Sequence, residues 1–380
     1  MSFLSDDVLE SIHNRASDID ARNVFPEQDY ADLKESGYFS AFVPKEYGGA
    51  GLTLKEIAAE QTRLSKAAPA TALGINMHQI IVGLGRYLVR HGNERGELIL
   101  REAAQGELFG FGISEPANDL VLFGSTTTAT PSEKGGYTFT GTKIFTSLAP
   151  AWTRLLTFGL DSSGPDGPHS VFAVLTRDGG GFSMKDDWDT LGMRATQSQT
   201  TLLEGAYAEE SRILTRCEPG PSADPVIFGI FAHFEILLAA TYMGIGERAI
   251  EVAVEHVKNR RSVKNQAMYS QDPAIRWRLA EAALTMNAVG PQIRELATEV
   301  DEDLASPMLA MPRLSAVKNA AAEASLRATE QCVRACGGAS YFNRHELSRL
   351  YRDVLAGLFQ PSDQESLHGA WAQMLLGPIE

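Results

Sequence analysis

Apolar positions in the first hundred residues recur every three or four places, the period of a helix with one buried face. Leu9–Ile19, Asp29–Glu35, Leu54–Ala67, Ala72–His91 and Asn93–Ala104 carry this pattern and predict helices, with a Pro- and Gly-rich loop at Phe42–Gly51. Between 106 and 215 the runs become β-branched or alternating: Arg154–Phe158, Ser170–Leu175 and Thr200–Ala206. Turn clusters at Asp161–Pro168 and Asp178–Gly181 separate them. Short strands at this spacing predict a small antiparallel sandwich or barrel. Within Phe109–Ser147, Tyr137–Thr140 and Lys143–Thr146 flank Gly141-Thr142, which reads as a hairpin on a type II′ turn. Helical periodicity returns after 225. Leu279, Ala283, Met286, Gly290, Ile293 and Leu296 form one long stripe; Val317 to Ala335 form another that stops at Gly337-Gly338. Ser362-x-x-Glu365 reads as a capping box opening a last helix, which Gly377-Pro378 closes. The chain therefore divides into a helical region 1–105, a β domain 106–220 and a helical bundle 221–380, an α+β fold whose last part is a four-helix bundle.

Charge and composition narrow the possible chemistry. The 380 residues carry 34 basic and 48 acidic side chains, a net charge of -14. The one basic run, Lys258–Arg261 with Lys264, is too short for a duplex, so nucleic acid is excluded as a partner. Three cysteines, Cys217, Cys332 and Cys336, build no disulfide framework and fit a reducing, cytoplasmic compartment. Cys332 and Cys336 lie four apart as a metal pair can, but no partner ligands follow, and no metal is expected. The polar start MSFLSDDVLESIHNR is no signal peptide. Val226–Gly246 is long and apolar enough to span a bilayer, yet His233 and Glu235 sit at its centre, where a carboxylate is costly in lipid. It reads as a buried bundle helix.

Candidate chemistry concentrates in FGFGISEPANDL, from Phe109, and GGYTFTGTKIFTS, ending at Ser147. Hydroxyls (Ser114, Thr146, Ser147) and aromatics (Phe111, Phe145) at period two suit a platform for a flat, polar-edged cofactor. They also suit an ordinary half-buried strand.

Five stretches in order resemble the acyl-CoA dehydrogenase superfamily of flavoproteins: SEP at Ser114–Pro116, GTKIFTS at Gly141–Ser147, LGMRATQS at Leu191–Ser198, NRRSV at Asn259–Val263 and CVRACGGASYFNRHELSRLYRD at Cys332–Asp353. The resemblance implies FAD held between the β domain and the bundle, in a homodimer or homotetramer whose second subunit completes the site. It places Ile113 and Ser114 at the flavin's polar edge and Phe145 and Thr146 beside the ring. It puts Arg260 at the phosphates of a neighbouring FAD, has Gly337 and Gly338 let that FAD approach closely, and counts Arg334, where the family more often has Gln, among the cofactor-binding residues. Donors at the ring edge favour hydride acceptance, and an Arg grips phosphate.

The substrate side departs from the family. The usual Glu base falls here on Gln360 or Pro361, beside Phe359, and neither takes a proton. Some branches place that Glu on the central bundle helix, at Phe234, which makes its neighbour Glu235 the candidate catalytic base. A buried Glu paired with a donor is the plainer reading of Glu235, and a satisfied core histidine that of His233. The turn after Pro116 is short, and Trp188-Asp189-Thr190-Leu191-Gly192-Met193-Arg194 resembles the family's flavin monooxygenase branch. The leading expectation is α,β-dehydrogenation of an acyl thioester, on CoA or a carrier protein, with Phe359 and Gln360 on the substrate side and an external electron acceptor. The first alternative is a monooxygenase taking reduced flavin from a partner reductase and acting on a small molecule. The second is a non-catalytic subunit of the same fold.

Overall fold

The computed structural model describes residues 2–165, 167–304, 306–377 and 379. The expected three-part order holds. Helices α1 (Asp6–Arg22), α2 (Glu27–Glu35), α3 (Leu54–Ala67), α4 (Pro69–Arg90) and α5 (Arg95–Ala104) come first. The start of α3 is set locally: the Thr53 hydroxyl accepts from the Glu56 N–H, while the Glu56 carboxylate accepts from the Thr53 N–H. Such a box stabilises a helix start by about 1 kcal/mol.

The β domain is one eight-stranded sheet in the order β6-β7-β3-β2-β4-β5-β8, with β1 added beside β4. The strands are β1 (Phe109–Gly112), β2 (Thr128–Pro131), β3 (Tyr137–Lys143), β4 (Arg154–Asp161), β5 (His169–Thr176), β6 (Phe182–Met184), β7 (Thr201–Ala208) and β8 (Ile213–Cys217). Pairing is mostly antiparallel, but β1–β4 and β2–β4 are parallel, so the sheet is mixed. The hairpin expected at Gly141-Thr142 does not form. Gly141 lies inside β3, paired with Leu203, and a Cβ there would sit 2.5 Å from the Thr127 hydroxyl. The glycine serves a close strand approach rather than a turn.

The bundle consists of α6 (Pro225–Asn259), α7 (Pro273–Asn287), α8 (Val289–Asp301), α9 (Pro307–Cys336), α10 (Glu346–Val354) and α11 (Gln364–Leu376). The stripe Leu279–Leu296 is split between α7 and α8 at Ala288. Helix α6, the one described helix long and apolar enough to cross a membrane, is packed against α3, α4 and α9. Ile236, Leu237 and Leu238 are fully buried, each contributing ~1.5–3 kcal/mol. Gly337, at φ 64, ends α9 as the sequence predicts. The capping box at Ser362 is not used. Asp363 is the N-cap of α11, and Ser362 turns into the bundle. Pro378 lies outside the described residues.

Candidate functional site

The charged residues of the SEP and GTK motifs build the platform rather than face a ligand. Glu115 Oε1 accepts from Lys143 Nζ at 2.6 Å, Ser125 Oγ at 2.6 Å and the Thr127 N–H at 3.1 Å. Glu115 Oε2 accepts from the Thr126 N–H at 2.6 Å and Asn118 Nδ2 at 2.7 Å. Lys143 also donates to the Phe158 carbonyl at 2.8 Å. Both charged side chains are fully buried. Burial alone would raise the Glu115 pKa, but the Lys143 charge and the donated hydrogen bonds overcome it and hold the carboxyl well below its usual range. Desolvation pushes Lys143 down to about 8, against the pull of Glu115. The pair ties the end of β1 to the end of β3 and so fixes the expected flavin residues.

Those residues sit at one edge. Ile113 is buried, and the Ser114 carbonyl accepts from the Ile144 N–H at 2.9 Å. Phe145 occupies the left-handed region at φ 55, a strained conformation for a bulky side chain, and its ring is 61% exposed. Trp188 meets that ring edge-on, at 6.1 Å between centroids. Thr146 is fully buried, and its hydroxyl has no hydrogen-bond partner. A buried unpaired hydroxyl costs about 1–3 kcal/mol. Beside it Ser147, Ser198 and Thr196 chain their hydroxyls at 2.8 and 2.7 Å. Phe111 of β1 stacks on Phe234 of α6, at 5.8 Å between centroids, where the sheet meets the bundle.

The turn carrying Trp188 is pinned from the bundle. A Cβ on Gly192 would lie 2.2 Å from the Arg352 carbonyl. The Met193 N–H donates to Asp353 Oδ1 at 2.6 Å, and Arg352 donates to the Leu191 carbonyl at 2.8 Å and to Asp20. Burial raises the Asp353 pKa to about 6 although Arg349 and the Met193 N–H oppose it. The Leu-Gly-Met-Arg and Arg-Asp motifs, 160 residues apart in this bond, are two halves of one joint.

The other expected cofactor residues gather at the end of α9. Arg260 donates to the Cys336 carbonyl at 3.2 Å and lies over the Tyr269 ring. Gly337 and Gly338 are exposed, and a Cβ on either would meet nothing within 4 Å. Arg334 is exposed and held by the Glu330 carboxylate, at 2.9 Å from its Nε. Among the described residues, no hydrogen bond, ion pair or aromatic contact joins this group to the platform within one chain. The sequence did not reveal that His256 and His345 converge on Cys336, their ligand atoms within 4.8 Å of one another. His345 Nδ1 accepts from the Leu347 N–H, which places the proton of a neutral imidazole on Nε2. Arg260 stands 3.5 Å from His256 Nε2. Burial lowers the pKa of both histidines, so the positive charge at this edge is that of Arg260.

The substrate-side candidates fare differently. Glu235 points into the bundle, fully buried, and accepts from the Ser362 hydroxyl at 2.7 Å. Among the described residues no hydrogen bond or ion pair joins its carboxylate to the platform, and the plainer reading, a buried Glu held by a donor, describes it. His233 is a core histidine, its Nδ1 2.7 Å from the Gly229 carbonyl and its ring against Phe42. Gln360 Oε1 accepts from the Tyr242 hydroxyl at 2.6 Å. Phe359 is 79% exposed.

The N-terminal domain of acyl-CoA dehydrogenases matches residues 5–113, and the C-terminal domain of the same enzymes matches residues 236–359. The L-evernosamine nitrososynthase of a Micromonospora strain is 29% identical over 93% of this chain and 84% of its own length. A dibenzothiophene monooxygenase of Rhodococcus erythropolis is 27% identical over 85% of this chain and 80% of its own. The structure of KijD3 in complex with FMN and dTDP-3-amino-2,3,6-trideoxy-4-keto-3-methyl-D-glucose superposes with a TM-score of 0.87 at 27% identity. That match covers 98% of this chain and 92% of the other.

These findings correct two expectations. FAD is overturned, because the KijD3 structure, at 27% identity over nearly the whole chain, holds FMN. The motifs from which FAD was expected imply contacts with the isoalloxazine end, which the two cofactors share and which therefore does not distinguish them. Acyl-thioester dehydrogenation is overturned as well: the nitrososynthase and monooxygenase relatives are 29% and 27% identical and a solved nitrososynthase 25%, although a Bacillus subtilis protein named as an acyl-CoA dehydrogenase also matches at 25%. The physical reason is the base: Glu235 is turned inward, and Gln360 holds its position. The expected fold stands, and the chain belongs to the superfamily that shares the acyl-CoA dehydrogenase fold.

Proposed function

We propose that this flavin-dependent oxidoreductase is an FMN-using monooxygenase that takes reduced flavin and molecular oxygen and oxygenates a small molecule. The observation that carries this reading is the substrate side: among the described residues, both positions where a base for α-proton removal was expected are occupied otherwise. Glu235 is buried on Ser362, and Gln360 is bonded to Tyr242. The Trp188–Arg194 turn and the FMN-bound relative at 27% identity support the same reading. The platform offers a flat cofactor the exposed ring of Phe145; the Thr146 hydroxyl beside it has no partner among the described residues but is closed off from solvent, so it would meet a ligand only if the strand end opens.

Reduced flavin, when bound, supplies two electrons for the activation of oxygen. The chain's own residues bind and enclose it. Backbone near Ser114 and, once exposed, the Thr146 hydroxyl would supply donors to the ring's polar edge. Phe145, backed by Trp188, covers one face and excludes water. Arg260 and the open backbone at Gly337-Gly338 receive a phosphate from a neighbouring copy, which makes the working unit at least a dimer. Phe111 and Phe234 form an apolar wall, and Phe359 lies at the substrate entrance. A separate flavin reductase is the natural electron source.

The test supplies FMN, NADH and a flavin reductase under oxygen-18 gas, with a panel of heteroaromatic substrates and amino sugar nucleotides. Label incorporated into a product, dependent on this protein, is expected. Reaction of the flavin with acyl-CoA esters in place of oxygen would overturn the reading.

A further inference from the structure

A second pair of buried charges lies inside the bundle, between α6 and α9, and the proposed chemistry does not use it. Lys318 of α9 is fully buried. Its ammonium donates to the carbonyls of Gly357, at 2.9 Å, Gln360, and Ser362, at 3.1 Å. Three carbonyls take all three N–H bonds of an ammonium; a neutral amine has only two. The charge is therefore present and is balanced by Glu235 on α6. Among the described residues the two make no direct ion pair. Ser362 bridges them: its carbonyl accepts from Lys318, and its hydroxyl donates to Glu235 and lies 2.9 Å from Ser315 Oγ.

Everything gripped belongs to one irregular segment, Gly357–Ser362, between α10 and α11. The grip extends to its middle, where Gln360 accepts from Tyr242, and to its start. A Cβ on Gly357 would lie 2.9 Å from both Ala322 and the Tyr242 ring. The segment has little regular structure of its own, and its outward member is the exposed Phe359. Glu235 follows Phe234, which stacks on Phe111 of the platform. The same turn of α6 thus touches the platform with one residue and anchors the segment with the next.

We propose that Lys318 and Glu235 are positioning residues: through Ser362 they hold Gly357–Ser362 as a rigid wall of the flavin and substrate cleft, with Phe359 as its face. The wall's place beside the cofactor rests on the flavin reading above; the grip itself does not. Uncharged replacement of both partners removes the grip without stranding a buried charge.

The test compares the full-length protein with Lys318→Met/Glu235→Gln and with the milder Ser362→Ala. Amide hydrogen exchange without flavin reads the grip. Exchange in 357–362 is expected to rise tenfold or more in the double variant and less in Ser362→Ala, with α6 unchanged. The visible absorption and circular dichroism of bound FMN read the wall, and both are expected to change in the double variant. Unchanged exchange in 357–362 overturns the grip. Faster exchange with an unaltered spectrum of bound FMN overturns the wall. If the unmodified protein binds no FMN, the flavin reading fails instead, and exchange alone decides the grip.

Discussion

Two buried lysine–carboxylate pairs support this cleft, and they are built differently. Glu115 touches Lys143 directly and collects further donors from Ser125, Thr126, Thr127 and Asn118. Glu235 reaches its lysine only through Ser362. The physical result is opposite in sign. Charge and hydrogen bonds overcome desolvation at Glu115 and push its pKa down; desolvation wins at Glu235 and lifts it to about 7. Both lysines are pushed to about 8 by burial. The first pair is a fixed joint in the platform. The second is a tether whose charge lies close to neutral pH, under the part of the cleft where this chain departs from acyl-CoA dehydrogenases.

The contrast can be broken most severely at the first pair. Lys143→Met strands Glu115 in the sheet, and a buried pair broken on one side costs about 3–5 kcal/mol. Urea denaturation is expected to show a loss of that size, together with loss of FMN binding. A loss below 1 kcal/mol would mean that the joint does not hold the platform.

The second pair is sharpened by pH. The Glu235 pKa is raised on folding, so its stabilising contribution is complete below the ordinary carboxylate value of 4.5 and is lost as pH rises through about 7. The lysines run the other way. Their pKa values are lowered on folding, so stability is regained as pH rises from about 8 towards the ordinary value of 10.5. Asp353, at about 6, adds its own slope. The difference between the unmodified protein and Glu235→Gln isolates one group. Between pH 4.5 and 7 that difference is expected to change by on the order of 3 kcal/mol, from about 1.4 kcal/mol per pKa unit. A flat difference would show that Glu235 does not titrate there.

A smaller effect is expected at the joint between the domains. Gly192→Ala drives a methyl into the Arg352 carbonyl, and such overpacking costs about 1–3 kcal/mol. The turn carrying Trp188 should then shift against Phe145, visible as a change in tryptophan emission. Phe145→Ala should be the mildest, weakening FMN binding about tenfold with stability intact, since its exposed ring contributes little to the core.

What the sequence revealed follows the range of the forces involved. Helix α3 was legible to the residue because its capping box and apolar stripe are both local. The stop of α9 at Gly337 was legible for the same reason. Gly141 and Ser362 were misread because each has a familiar local role, turn glycine and cap, while its real partner is distant: Thr127 across the sheet and Glu235 in the bundle. The SEP and GTK motifs do converge, but through their charged members: Glu115 and Lys143 tie the two strand ends together. The reaction was misjudged because those motifs report the flavin ring and say nothing about what reacts with it. The Trp188–Arg194 turn and the missing Glu at Gln360 already pointed to the monooxygenase branch.

The most direct measurement is an anaerobic spectrophotometric titration of the FMN-loaded protein with acyl-CoA esters from short to long chain. The flavin absorbance is predicted to stay unbleached at every chain length, because Glu235 is held by Ser362 inside the bundle and Gln360 stands at the usual base position. Stoichiometric bleaching by any of the esters would contradict the account.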